Sequence, residues 1–253
     1  MYGQDERGMI EVKGLSKSFG AIRAVDRASF SVGRGDVLGF LGPNGAGKTT
    51  TMRMLCCFLA PDDGTATIMG KDIRAESMAV RRCVGYLTEN VPAYDEMTAE
   101  SFLRFVCEAR SMPKREQRPA IDKVADSCAI GDVMHQPIGT LSKGYRRRVG
   151  LAQTLVHDPP VLILDEPTDG LDPNQKHEVR QLIKRLAKEK CIIISTHILE
   201  EVDAICNRIV IISQGRIRED STPDDLRKRE GGTLEAIFRK ITTRGTGRAG
   251  GGS

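Results

Sequence analysis

The chain has 253 residues, 40% of them hydrophobic and 28% charged, with 38 Lys and Arg against 34 Asp and Glu. That is long enough for one large α/β domain with a proper core and too ordinary in charge for wholesale disorder. Aromatic residues make up 4% with no Trp, which argues against a stacking platform for single-stranded nucleic acid, and the net charge of +4 is mild.

In chain order, Val37–Leu41, Val84–Leu87, Val161–Leu164, Ile192–Ile194 and Ile209–Ile212 are short Val/Ile-rich or apolar runs bounded by polar or turn residues. They are expected to be buried strands. Between them, helical periodicity covers Lys48–Leu59, Ala99–Arg110, Pro119–Ala129, Lys143–Val156, Asn174–Glu189 and Leu199–Cys206. Strands alternating with helices predict an α/β fold, a mostly parallel sheet covered by helices on both faces. Residues 1–89 and 158–225 are expected to form one discontinuous α/β core. The stretch 90–157 holds helices and no convincing strand, and reads as an inserted helical subdomain. Turn punctuation at Pro61-Asp62-Asp63-Gly64, Pro92 and Pro159-Pro160 marks the joints. From residue 226 the pattern weakens to a short amphipathic helix near Leu234–Ile241 and a Gly-rich end, Gly245–Ser253, expected to be disordered.

Seven cysteines, at 56, 57, 83, 107, 128, 191 and 206, form no C-x-x-C pair, which suits reduced thiols of a cytosolic protein better than disulfides or a zinc site. No apolar run approaches the ~20 residues of a membrane span, and Met1–Gly8 carries Asp5, Glu6 and Arg7 in place of a leader's apolar stretch.

Gly42-Pro43-Asn44-Gly45-Ala46-Gly47-Lys48-Thr49-Thr50 follows one expected strand and opens a helix, the context that G-x-x-x-x-G-K-[ST] requires. Its backbone N–H groups would cradle a triphosphate, Lys48 would reach the β- and γ-phosphates, and the Thr49 hydroxyl would ligate Mg²⁺. The alternative is an accidental Gly-rich turn. The strand Val161–Leu164 runs into Asp165-Glu166, where Asp165 would hold Mg²⁺ and Glu166 would polarise the attacking water as general base. Both acids could instead cap the turn at Pro167. Ile192–His197 supplies a third polar strand end, with His197 either structural or a γ-phosphate contact.

In this order and spacing, these motifs resemble the ATP-binding subunits of ABC transporters, over roughly residues 9 to 215. The resemblance rests on the Walker A loop Gly42–Thr50, a Q-loop segment at Gly85-Tyr86-Leu87-Thr88-Glu89, and a signature segment Leu141-Ser142-Lys143-Gly144-Tyr145. The Walker B strand Val161–Glu166, the D-loop Asp169-Gly170-Leu171-Asp172 and the switch position His197 follow. It implies a P-loop NTPase fold with antiparallel β elements near the N-terminus. It makes Phe19 an adenine-stacking residue, where the bland reading is a core Phe. Ser142 and Gly144 would contact the γ-phosphate held by a second copy, although Ser142 also suits a helix N-cap. Asp172 would bridge the pair, or simply cap the helix before Pro173. Glu89 stands where the family has Gln and would add a third Mg²⁺ ligand; Lys143 and Tyr145 depart from the usual LSGGQ.

The implied machine is a homodimer with two Mg-ATP between its halves, catalysis resting on Lys48, Glu166 and His197, driving a separate integral membrane permease. The subset it looks like, with gliding and copper-maturation types, exports, and would place the chain on the cytoplasmic face of the membrane. A soluble ABC-type ATPase would need a long heptad insertion or a tandem second domain, and a degenerate nucleotide-binding regulator is the non-enzyme alternative. Residues 227–253 hold seven Lys and Arg against Glu230 and Glu235, so the positive excess lies in the tail and no nucleic-acid partner is expected.

Overall fold

The computed structural model describes residues 8–89 and 94–243. The joint at Pro92 and the Gly-rich end at Gly245–Ser253 lie outside the described residues. In chain order the elements are β1 (Ile10–Phe19), β2 (Ile22–Val32), β3 (Val37–Leu41), α1 (Lys48–Leu55), β4 (Asp63–Ile68), β5 (Lys71–Asp72), α2 (Ser77–Cys83), β6 (Val84–Leu87), α3 (Ala99–Ala109) and α4 (Lys114–Ser127). Two short 3-10 turns precede α5 (Lys143–Leu155), β7 (Val161–Asp165), α6 (Pro173–Ala187), β8 (Cys191–Thr196), α7 (Leu199–Ile205), β9 (Arg208–Ser213), β10 (Arg216–Ser221), α8 (Pro223–Glu230) and α9 (Leu234–Thr243).

A six-stranded sheet runs β10-β9-β3-β8-β7-β6, and a four-stranded antiparallel sheet runs β2-β1-β4-β5. In the larger sheet β9, β3, β8, β7 and β6 are parallel and β10 is an antiparallel edge. Its central strands are apolar throughout because both faces are covered. Alternation divides them cleanly. Leu162, Leu164, Ile192 and Ile194 face a core shared with α3, α4, α5 and α6. Val161, Ile163, Cys191, Ile193 and Phe40 face the other core, shared with α1 and the antiparallel sheet.

Three expected stretches differ from the sequence reading. Helix α1 stops at Leu55 because Cys57 takes a positive φ of 59°, which ends helical geometry short of Leu59. Helix α4 starts at Lys114 and carries Pro119 inside it. Pro119 is therefore not the first residue of the helix; burial of Gln117 and Ile121 on one face outweighs the single backbone donor that proline lacks. The last stretch is better ordered than its weak pattern suggests, since Leu226, Leu234 and Ile237 are buried against β9 and α7. Most of its basic residues are paired: Arg227 with Asp203, Arg229 with Glu219 at 2.5 Å, and Lys240 with Glu230 at 2.6 Å.

All seven cysteines are free, and burial pushes Cys128 and Cys191 up to about 12, so neither is a thiolate at neutral pH. Among the described residues no helix is long and apolar enough to cross a membrane.

Candidate functional site: a nucleotide cleft at the carboxyl ends of four parallel strands

Because β3, β8, β7 and β6 are adjacent and parallel, the segments that leave them emerge along one edge of the sheet. That edge is where ligands bind in open α/β sheets. A cleft of about 600 Å³ opens there, lined by Phe19, Ala24, residues 44–50, Glu89, Asp165, Glu166, Asp169 and His197.

The loop after β3 turns sharply into α1. Gly47 has φ 107°, and a Cβ on it would lie 2.3 Å from the carbonyl oxygen of Ala24, so only glycine fits. Gly45 and Gly47, both at positive φ just ahead of a helix N-terminus, give the loop the form of a phosphate-binding nest. Lys48 Nζ donates to the carbonyls of Gly42 (2.6 Å) and Pro43 (3.2 Å), which brings its charge back over the nest. Burial lowers the Lys48 pKa, while Glu166, Asp165 and Glu89 act to raise it.

Thr49 Oγ1 donates to Asp165 Oδ2 at 3.2 Å, joining the start of α1 to the end of β7. A hydroxyl and a carboxylate at this separation suit Mg²⁺, which takes few protein oxygens and completes its shell with phosphates and water. No group of three or more His, Cys, Asp or Glu that could hold a metal alone occurs among the described residues. Glu89, on the segment leaving β6, also lines the cleft.

Glu166 has φ 49°, unusual for a non-glycine residue. Its N–H donates to the carbonyl of Ser195 (2.8 Å), so the turn after β7 is bonded to β8. The Glu166 carboxylate accepts from Thr196 Oγ1 (3.2 Å) and meets His197 Nδ1 at 2.8 Å. A carboxylate only accepts, so His197 carries a proton on Nδ1. Behind them, buried Glu201 accepts from Thr168 Oγ1 and lies 3.0 Å from Thr196 Oγ1, whose single proton serves Glu166 or Glu201 in turn; burial pushes the Glu201 pKa up.

Phe19, at the end of β1, is 50% exposed and lines the cleft, so it is not a core residue. Lys17 Nζ lies 5.9 Å from its ring centroid. The remaining expected site residues are elsewhere. Ser142 is the N-cap of α5, accepting from the Tyr145 N–H at 3.3 Å. Asp172 caps α6 in a capping box with Gln175, and a Cβ on Gly144 would lie 2.5 Å from Gln175 Oε1. Ser142 and Asp172 are exposed and Gly144 is buried against Gln175 where α5 meets the start of α6, and none of the three lines the cleft.

Sequence reasoning missed Asp169 as a cleft residue, and also Thr196, Glu201 and Arg147. Asp169 forms an ion pair with Lys143 at 3.0 Å, and only the tertiary fold brings these two together. Arg147 carried a signal, a basic run Arg146-Arg147-Arg148 on an otherwise half-apolar helix, one member of which had to point inward.

The fold and cleft define a P-loop nucleotide-binding domain. The family model for "ABC transporter" matches residues 25–169. The chain is 35% identical over 220 residues to the probable multidrug ABC transporter ATP-binding protein YbhF of Escherichia coli, covering 87% of this chain and 38% of that one. It is 37% identical over 229 residues to the bacitracin transport ATP-binding protein BcrA of Bacillus licheniformis, covering 90% and 74%. A solved structure described as an ATP binding subunit of an ABC transporter superposes with a TM-score of 0.85 at 29% identity, covering 92% of this chain and 99% of that one. The chain belongs to the ABC transporter family, as one of its ATP-binding domains, and spans well under half the length of YbhF.

Proposed function

We propose that the chain is the ATP-hydrolysing subunit of an exporter, working as a head-to-tail pair around two Mg-ATP and driving a separate integral membrane permease. The observation that carries this reading is the division of its site residues. Lys48, Thr49, Asp165, Glu166 and His197 share one cleft, whereas Ser142 and Gly144 lie outside it at the N-terminus of α5. A chain with both halves of a triphosphate site, set apart, completes each site only with a second copy. The names of relatives that move bacitracin or multiple drugs support the exporter reading. The permease would hold the pair on the cytoplasmic face of the membrane, docking near Glu89 to about Met112.

The chemistry follows from the geometry. The nest of residues 44–50 binds the triphosphate and orients the γ-phosphorus toward Glu166. Mg²⁺ would be held by Thr49 and Asp165 with Glu89 beside them, and would supply positive charge against the triphosphate. Glu166 orients water for in-line attack and accepts its proton, while the bond from the γ-phosphorus to the ADP oxygen breaks. Lys48 and the N–H groups of the nest stabilise the charge that builds up on the phosphates. His197 holds the Glu166 carboxylate in place through Nδ1. A contact from its Nε2 to a γ-phosphate oxygen requires a second proton on the ring.

Phosphate release from Mg-ATP by the purified chain, with Glu166→Gln as control, tests the enzyme. Equal release by both would leave a nucleotide-binding regulator. Size-exclusion chromatography of Glu166→Gln with Mg-ATP tests the pair: a dimer is expected, and a monomer would count against the sandwich.

A further inference from the structure

Arg147 is 5% exposed, yet all of its hydrogen bonds run to backbone carbonyls and none to a carboxylate. Nη1 donates to the carbonyls of Thr88 (2.7 Å) and Glu89 (2.8 Å). Nη2 donates to those of Asp165 and Glu166, and Nε to that of Pro167 at 3.4 Å. One side chain of α5 therefore fastens the segment leaving β6 and the turn leaving β7. Burial lowers its pKa, opposed first by Asp165 and then by Asp169, Glu166 and Glu89, and a guanidinium stays charged throughout.

We propose that Arg147 is the positioning residue that transmits the state of the signature helix to the hydrolytic end of its own chain's cleft. The turn at Glu166 holds a non-glycine residue at positive φ, a conformation that persists only where surroundings impose it. Three bonds hold it: from the Glu166 N–H to Ser195, from the Asp169 N–H to the Glu166 carbonyl at 3.1 Å, and from Arg147, the one side chain among these partners, to that same carbonyl. The same guanidinium fixes the backbone at Glu89. Only a planar fork with five donors reaches both segments at once; an ammonium on a lysine stem has three donors radiating from one point. Helix α5 begins at Ser142 and Gly144. On the proposed function, on which this inference rests, these residues engage the nucleotide of the second copy. Their engagement moves α5, and Arg147 carries that movement to Glu166 and Glu89 of the first. One helix thus joins the two ATP sites of the pair.

Full-length Arg147→Lys and Arg147→Met, beside wild type and Glu166→Gln, test this through kcat, KM and binding of Mg-ATP, and amide hydrogen exchange. The expected result is a fall in kcat of about tenfold for the lysine variant and about a hundredfold for the methionine variant, the range that misplacing a catalytic group costs. The dissociation constant for Mg-ATP is expected to stay within about threefold of wild type, because Arg147 does not line the nucleotide cleft. Amides of residues 165–168 are expected to exchange faster in both variants while those of α1 stay protected. Should the methionine variant fail to fold, the lysine variant decides alone. A folded lysine variant with kcat within twofold of wild type, or with unaltered exchange at 165–168, overturns the proposal. So does a lower melting temperature with an unchanged kcat per folded molecule, which is what a purely stabilising role produces. Absence of turnover in wild type would instead overturn the proposed function, and the coupling role with it.

Discussion

His197 Nδ1 lies 2.8 Å from Glu166 Oε1, across the ends of two neighbouring parallel strands. Both residues line the cleft together with the loop at 44–50. Replacing Glu166 with Gln keeps the size of the side chain but removes the proposed base, so kcat for ATP is expected to fall by about 10²–10⁴. His197→Ala leaves the carboxylate in place but unheld, and the expected loss is smaller, about tenfold or more. Phosphate-release assays at saturating Mg-ATP check both; a His197→Ala variant slower than Glu166→Gln would reverse these roles.

The ion pair between Lys143 and Asp169 stands at the rim of the same cleft. Its lysine hydrogen bond is the largest influence holding Asp169 below the usual carboxylate range. Both side chains are more than half exposed, so the pair contributes less than about 1 kcal/mol to stability. Its effect should appear in binding. Lys143→Ala leaves an uncompensated carboxylate facing a triphosphate and is expected to weaken Mg-ATP binding about threefold to tenfold, less at high salt. The double variant with Asp169→Ala should recover most of the loss, which equilibrium titration of all four proteins in the cycle would show.

Gly47 tolerates no side chain. A methyl group there meets the carbonyl of Ala24 at 2.3 Å, on a backbone with φ 107°. Gly47→Ala is expected to cost about 2–4 kcal/mol through strain and overpacking combined. Because the loop opens to relieve it, Mg-ATP binding should be lost along with part of the melting temperature. Wild-type affinity in this variant would show that the loop is more compliant than its packing implies.

A fourth prediction concerns acid. His157 Nε2 lies 3.2 Å from the carbonyl of Val84 and so must donate, while its Nδ1 is buried with no partner. Desolvation is the main cause, and with Arg110 nearby the ring pKa falls to about 4. The unfolded ring takes its proton near 6.5, so the unfolded state binds protons first as pH drops. This contribution is fully present above about pH 6.5 and is lost toward pH 4, by roughly 3 kcal/mol. Urea denaturation at several pH values should show that slope, and His157→Gln should flatten it.

The chain's chemistry was legible where it is written contiguously. The loop at 42–50, the strand end at Asp165-Glu166 and the strand end at His197 could be read because a parallel sheet exposes its ligands at strand termini, next to runs too apolar to be anything but buried. Elements whose pattern is set by their neighbours were missed. β10 alternates exposed and half-buried residues because it is a sheet edge, and its Arg216–Ser221 sequence shows no apolar face. Helix α2 has a single buried residue, Val80, too few for a period.

What the sequence determined by itself was the family, the phosphate-loop pattern and the strand ends that carry Asp165, Glu166 and His197, since each depends on residue type at fixed local spacing. Only the tertiary structure decided that Arg147 fastens Glu89 to Glu166, that Lys143 answers Asp169 and that Phe19 faces the cleft. It also decided that Ser142 and Gly144 stand apart from the phosphate nest. Those relationships join residues far apart in the chain, and a hydrogen bond or ion pair depends on distance in space. That distance follows from which strands lie side by side and which helix face is buried.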